Sequence, residues 1–155
     1  TLFRSNVDPR GAGWNIIQSK IAIGAGGIFG KGYLRGTQSH YRFLPQQSTD
    51  FIFSILSEEF GFLGCCLVFL LFLFIFIRTI IIIRNSTSTY GAYIASGILG
   101  MFAFHFFVNV GMVMGMMPIT GIPLSFLSYG GSSLLTSMSC IGLLMSINYR
   151  RKEIR

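Results

Sequence analysis

The sequence predicts an all-α, polytopic membrane protein in which a large extracytoplasmic segment precedes three transmembrane helices. Three observations predict it. Of the 155 residues, 52% are hydrophobic and only 11% are Lys, Arg, Asp or Glu, against about a quarter charged in an ordinary soluble domain. The mean hydropathy is +0.64. Almost all the charge sits in the first 60 residues and the last six. This excludes a soluble globular domain and a disordered chain alike. A net charge of +7 would suggest nucleic acid in a soluble protein, but beside 16 Phe it predicts membrane lipid as the anionic partner and no nucleic acid.

The chain opens on polar residues 1–10, with no apolar segment of the kind a signal peptide needs. A first residue other than Met is the expectation for a fragment. Trp14, Ile17 and Ile21 then recur at helical spacing, with Asn15, Gln18, Ser19 and Lys20 on the polar side. This pattern predicts a short interfacial helix. Gly24, Gly26, Gly27, Gly30 and Gly32 are expected to break any helix and to leave irregular backbone that can approach a ligand closely. Pro45 and the run Ser48, Thr49, Asp50 mark the start of the next helix, which continues through Glu58 and Glu59 into the first span.

Residues 60–77 are 18 uncharged residues, and the apolar stretch resumes beyond Arg78 as far as Ile83. A membrane helix needs roughly 20 such residues. Residues 85–149 carry no formal charge, and Pro118, Gly121 and Pro123 divide them into two further spans. The spans are expected near 60–84, 90–116 and 126–148. The chain therefore divides into a large loop, 1–59, and a three-helix transmembrane region with a short tail, 60–155. Gly97, Gly100, Gly111 and Gly115 in the middle span have the spacing of close helix–helix packing.

Arg78 and Arg84 flank the first connection, Arg150, Arg151, Lys152 and Arg155 form the tail, and the second connection has no cation. The positive-inside rule makes the tail cytoplasmic. Residues 1–59 then face outward with Arg4, Arg10, Lys20, Lys31, Arg35 and Arg42. So many outward cations call for an anionic partner there.

The glycine run is not a nucleotide loop: Ala25 stands at the first Gly of the phosphate-loop pattern, Gly32 at its Ser/Thr, and Phe29 at the last Gly of the dinucleotide pattern. Backbone amides with Lys31 can still hold a phosphate. Asp50 has two readings, a helix cap by position and a functional acid by its place at a bilayer edge. Asp50, Ser54 and Glu58 fall four apart and give one polar stripe on an otherwise apolar helix. Burial raises an acid's pKa and suits a general base, whereas a helix N-terminus and cations lower it. His105, flanked by Phe104 and Phe106, reads as hydrogen-bonded to a neighbouring helix rather than as a proton relay. Ser125 to Ser133, SFLSYGGSS, reads as close packing with polar bonds between helices. Cys65, Cys66 and Cys140 lie in apolar runs without metal-ligand spacing, so no metal site and no cofactor is identifiable.

Taken in order, GWNIIQSKIAIGAGGIFGKGYLRGTQSHYRFLPQQSTDFIFSILSEEFGFLG and then NVGMVMGMMPITGIPLSFLSYGGSS resemble the C-terminal part of the SEDS (shape, elongation, division, sporulation) family, over essentially the whole chain. GKGYLRGTQS is closer to the rod-shape branch than to the division branch. The resemblance implies a multi-pass protein of the bacterial cytoplasmic membrane, of which this chain holds the last three spans and the large outer loop. It implies a peptidoglycan glycosyltransferase that polymerises lipid II during cell elongation, with a class B penicillin-binding protein, a transpeptidase, as partner. The acid of the T-D-F-I-F motif, Asp50, is implied as the catalytic residue. Gln46 stands where the family usually writes an acid after Leu-Pro. On this reading Lys20, Lys31 and Arg42 meet the pyrophosphate, and Gln18, Gln38 and Ser39 meet the sugars. The alternatives are a flippase of lipid-linked cell-wall precursors, the division-type polymerase, and a noncatalytic scaffold. A transporter should carry its ionisable residues near the bilayer midplane, whereas the charges here gather at one surface.

Overall fold

The computed structural model describes residues 12–32, 52–118, 120–128 and 130–153, which form four helices and no strand. The helices are α1, Ala12–Gly26; α2, Ile52–Arg84; α3, Thr89–Val113; and α4, Gly131–Glu153. α2 and α3 are long and apolar enough to cross a membrane. The 33 residues of α2 correspond to about 50 Å of helix. α4 has the length, but the Ser and Thr of its first turns and the charges of its last turn dilute its apolar content.

α2 and α3 pack along a seam of aromatic rings. Phe72 and Phe106 meet with ring centroids 4.6 Å apart, and Phe69 lies edge-on to Phe106 at 5.1 Å. Val68, Val110, Met112 and Leu124 complete this cluster, and Ala95, Ile98, Phe102 and Leu144 form a second where α4 joins. α3 starts at Ser88, an extended residue whose Oγ accepts from the Gly91 N–H.

Three expectations need correction. α1 runs through Gly24 as far as Gly26, so the irregular backbone begins only at Gly27. Four glycines of the middle span, Gly97, Gly100, Gly111 and Gly115, are expected to bring helices together. An added Cβ at Gly97 or Gly100 would meet nothing within 4 Å. Gly111 instead lies beneath the Met117 side chain, and Gly115, at φ 73°, reverses the chain after Val113. Here the glycine spacing serves a helix stop: the Met116 and Met117 amides both donate to the Gly111 carbonyl, at 2.8 and 3.1 Å.

The last correction concerns 120–128, expected to begin the final helix at 126. These residues are not helical, and α4 starts at Gly131. The segment folds back along α3. The Asn109 amide donates to the Ile122 carbonyl at 2.8 Å, the Ser125 hydroxyl lies 3.3 Å from Nδ1 of His105, and Phe126 sits between Phe72 and Phe102. His105 thus has the partner expected of it, on a loop rather than a helix. Leu124 and Ser125 are buried, so irregular backbone beside an apolar helix is covered by protein.

Candidate functional site

Helix α2 is one helix by extent and two by geometry. At Gly61 its backbone turns to φ 64°, ψ −157°, a region that is essentially closed to residues with a side chain. An unbroken helix would bond the Phe62 amide to the Glu58 carbonyl and the Leu63 amide to the Glu59 carbonyl. Instead the glycine loop is inserted. The Lys31 amide donates to the Glu58 carbonyl at 3.0 Å and the Gly32 amide to the Glu59 carbonyl at 3.1 Å. On the other side of the break, the Phe62 and Leu63 amides donate to the Gly27 and Ile28 carbonyls at 2.9 and 3.2 Å. Each of these four groups released by the break finds a partner on residues 27–32.

Close approach explains the glycines. A Cβ on Gly26 would collide with the Ser57 carbonyl, and one on Gly30 with the Glu59 carbonyl. The loop therefore lies directly on the α2 backbone, with α1 crossing the stretch just before the break. α1 presents Gln18, Ser19 and Ala22 inward and leaves Ile17 and Ile21 exposed. The Ser19 hydroxyl donates to the Val113 carbonyl at 3.0 Å and so joins α1 to the end of α3.

At this junction Glu58 is fully buried, and Lys31, one-third exposed, places Nζ 3.1 Å from its Oε1. A carboxylate removed from water needs such a partner. Ser54 and Ser57 are buried on the same side of α2, so the polar stripe inferred from the four-residue spacing exists from Ser54 to Glu58. An apolar groove of about 570 Å³ runs along α2 across the break, lined in part by Leu56, Phe60, Gly64, Leu67 and Phe126.

The expected site residues fare differently. Asp50, Gln38, Ser39 and Arg42 lie outside the described residues. Lys20 is exposed on α1, as a phosphate contact requires. Lys31 is engaged with Glu58. Gln18, expected to meet a sugar, is buried in the α1 interface, and its Oε1 has no hydrogen-bond partner among the described residues. No group of three or more His, Cys, Asp or Glu gathers among the described residues. Sequence reading missed Gly61 as the keystone of the junction. A signal was present: a glycine between an acid pair and an apolar run weakens a helix by about 1 kcal/mol unless its backbone freedom is used.

Comparison with known proteins places this geometry. Residues 1–153 match the family model FtsW/RodA/SpoVE, described as cell cycle protein. The chain is 70% identical over 145 residues to the peptidoglycan glycosyltransferase RodA of Treponema pallidum (strain Nichols), a match covering 94% of this chain and 34% of the relative. It is 47% identical over 147 residues to the peptidoglycan glycosyltransferase MrdB of Escherichia coli (strain K12), covering 95% and 40%. Among solved structures, a chain from a peptidoglycan synthase complex, studied for its coordination of polymerization and crosslinking, superposes with TM-score 0.78 at 28% identity, over 97% of this chain and 40% of that one. A variant of the rod shape determining protein RodA from Thermus thermophilus gives TM-score 0.66 at 30% identity, over 86% and 40%. The chain thus spans between a third and two fifths of the length of these relatives.

Proposed function

Because the chain belongs to the FtsW/RodA/SpoVE family of cell cycle proteins, the SEDS family whose motifs it shares, we propose that the protein polymerises lipid II into glycan strands at the outer face of the bacterial cytoplasmic membrane. The observation that carries this reading is the docking of a cation-bearing glycine loop onto the start of a long apolar helix. It sets Lys31 against Glu58 near the start of the helix that follows Asp50 in the chain. A lipid-linked pyrophosphate substrate combines the matching features: an apolar tail, a doubly charged leaving group and sugars. The relatives named as peptidoglycan glycosyltransferases support the same chemistry.

In this reading Asp50 is the general base. It takes the proton from the acceptor sugar hydroxyl as that oxygen bonds to the anomeric carbon of the donor, while the bond from that carbon to the pyrophosphate oxygen breaks. Charge gathers on the departing pyrophosphate, and in this reading Lys20 and Arg42 neutralise it. Gln38 and Ser39 bond sugar hydroxyls. Gln18 serves the α1 interface, where it is buried, and does not contact the sugar.

Three spans with an inward C-terminal tail, and an outward segment comprising residues 1–59, complete the topology that this function needs. The partner is a class B transpeptidase, in keeping with the peptidoglycan synthase complex one chain of which has this fold. The test uses purified full-length protein and lipid II. Glycan chains from the wild type and none from Asp50→Ala support the proposal. Movement of lipid II across vesicles without polymer supports the flippase reading instead.

A further inference from the structure

Lys31 lies on the proposed outer face, where the cations were assigned to phosphate, yet its ammonium is turned onto a carboxylate that water does not reach. The pair closes the same junction that four backbone bonds build: two from residues 31 and 32 to the carbonyls of Glu58 and Glu59, two from Phe62 and Phe62's neighbour Leu63 to the loop carbonyls. The helical residues before Gly61 are thereby fixed in direction independently of the apolar residues after it. Asp50 is two residues ahead of Ile52 in the chain, so the direction of this fixed piece bears directly on the acid. Glu58 itself is six residues beyond Ile52, about 9 Å further along the helix, and engaged with Lys31, which does not suit a base acting at the same proton as Asp50.

We propose that Lys31 and Glu58 are positioning residues for glycan polymerisation: their ion pair locks the 27–32 loop into the break at Gly61, and the lock aims the first turns of α2 and the acid that precedes them. The proposal rests on the reading of Asp50 as the base. It reassigns Lys31 from the pyrophosphate to the junction and leaves Lys20 and Arg42 as the phosphate cations. An aiming role has its own kinetic signature, because displacing a reacting group by about 1 Å can lower turnover about a hundredfold while substrate binding is retained.

The experiment compares full-length wild type, Asp50→Asn, Lys31→Met, Glu58→Gln and the double variant Lys31→Met with Glu58→Leu, by lipid II polymerisation kinetics and by hydrogen exchange of the peptides covering 27–32 and 58–63. Removing one partner takes the ion pair from a buried carboxylate's surroundings, whereas an apolar pair of similar volume restores packing without charge. The expected result is a loss in kcat of about tenfold to a hundredfold in both single variants with KM within about twofold, faster exchange at both segments, and recovery of kcat and protection in the double variant. A rise in KM for Lys31→Met that the double variant does not reverse would make Lys31 a phosphate ligand and overturn the proposal. So would single variants whose exchange matches wild type. The wild-type and Asp50→Asn arms test the activity reading separately, since hydrogen exchange needs no turnover.

Discussion

Replacing Gly61 with Ala forces a choice between two backbones, and the structure sets the magnitude of each. If the break is kept, Ala must hold φ 64°, ψ −157°, which costs about 1–3 kcal/mol. Its Cβ must also fit against the Gly30 amide and the Ile28 carbonyl, whose oxygen and carbon would lie 2.8 and 2.9 Å away. If α2 instead becomes continuous, the two intrahelical bonds return and Ala gains up to about 1 kcal/mol over Gly in helix propensity. Four loop bonds at about 1 kcal/mol each are then lost, together with the seating of Lys31 on buried Glu58. Straightening comes out near 1 kcal/mol in bonds and propensity, the cheaper route before the ion pair is counted.

Unseating the buried pair adds about 3–5 kcal/mol to straightening, so Gly61→Ala should keep the break under strain and loosen the loop from α2. Full-length protein in detergent should lose about 2–3 kcal/mol of stability, read as a lower melting temperature. Hydrogen exchange should speed up at 27–32, and polymerisation of lipid II should fall at least about tenfold. Gly24→Ala is the control: it is helical, a Cβ there meets nothing within 4 Å, and the change should be neutral or stabilising by up to about 1 kcal/mol. Gly61→Ala with wild-type melting and wild-type loop protection would refute the account of the junction.

Asp50→Asn should abolish polymerisation, with a loss of about a hundredfold to ten-thousandfold in rate, while the protein still melts cooperatively and binds its transpeptidase; substantial glycan product would reduce Asp50 to a helix cap. Lys20→Ala should raise the KM for lipid II with little change in melting temperature, because an exposed Lys adds little to stability; normal KM would remove Lys20 from the phosphate site. Asn109→Leu should destabilise by about 1–3 kcal/mol, since the Ile122 carbonyl loses its amide donor, and an unchanged melting curve would show that bond to be dispensable. Labelling from outside intact cells should leave a cysteine at Arg151 unmodified, and its modification would invert the orientation.

Helix identity was legible in the sequence wherever one periodicity ran unopposed. The uncharged residues after Gly61 and the charge-free stretch after Asn85 located α2 and α3 to within a few residues, because length and apolarity decide such helices without reference to neighbours. The polar stripe of Ser54 and Glu58 was legible for the same reason. What escaped was everything set by one segment meeting another. Gly61 looks like any helical glycine until residues 27–32 approach it. Lys31 looks like a phosphate ligand until Glu58 claims it. Residues 126–128 look like the start of a helix until His105 meets the Ser125 hydroxyl and Asn109 holds the chain at the Ile122 carbonyl just before it. Gln18 was assigned to the polar side of an interfacial helix, but that side packs inward and the isoleucines face outward.

The folded-back segment 120–128 also constrains how the chain can be made. Its Ile122 carbonyl and Ser125 hydroxyl are satisfied by side chains of α3 that have already been synthesised when 120–128 emerges. Released alone into a lipid phase, those groups would be stranded at several kcal/mol each. α3, the segment and α4 should consequently leave the insertion machinery as one hairpin rather than helix by helix. A ribosome stalled so that α3 has emerged but residues 120–128 have not should hold α3 at the lateral exit, and release should coincide with the arrival of α4.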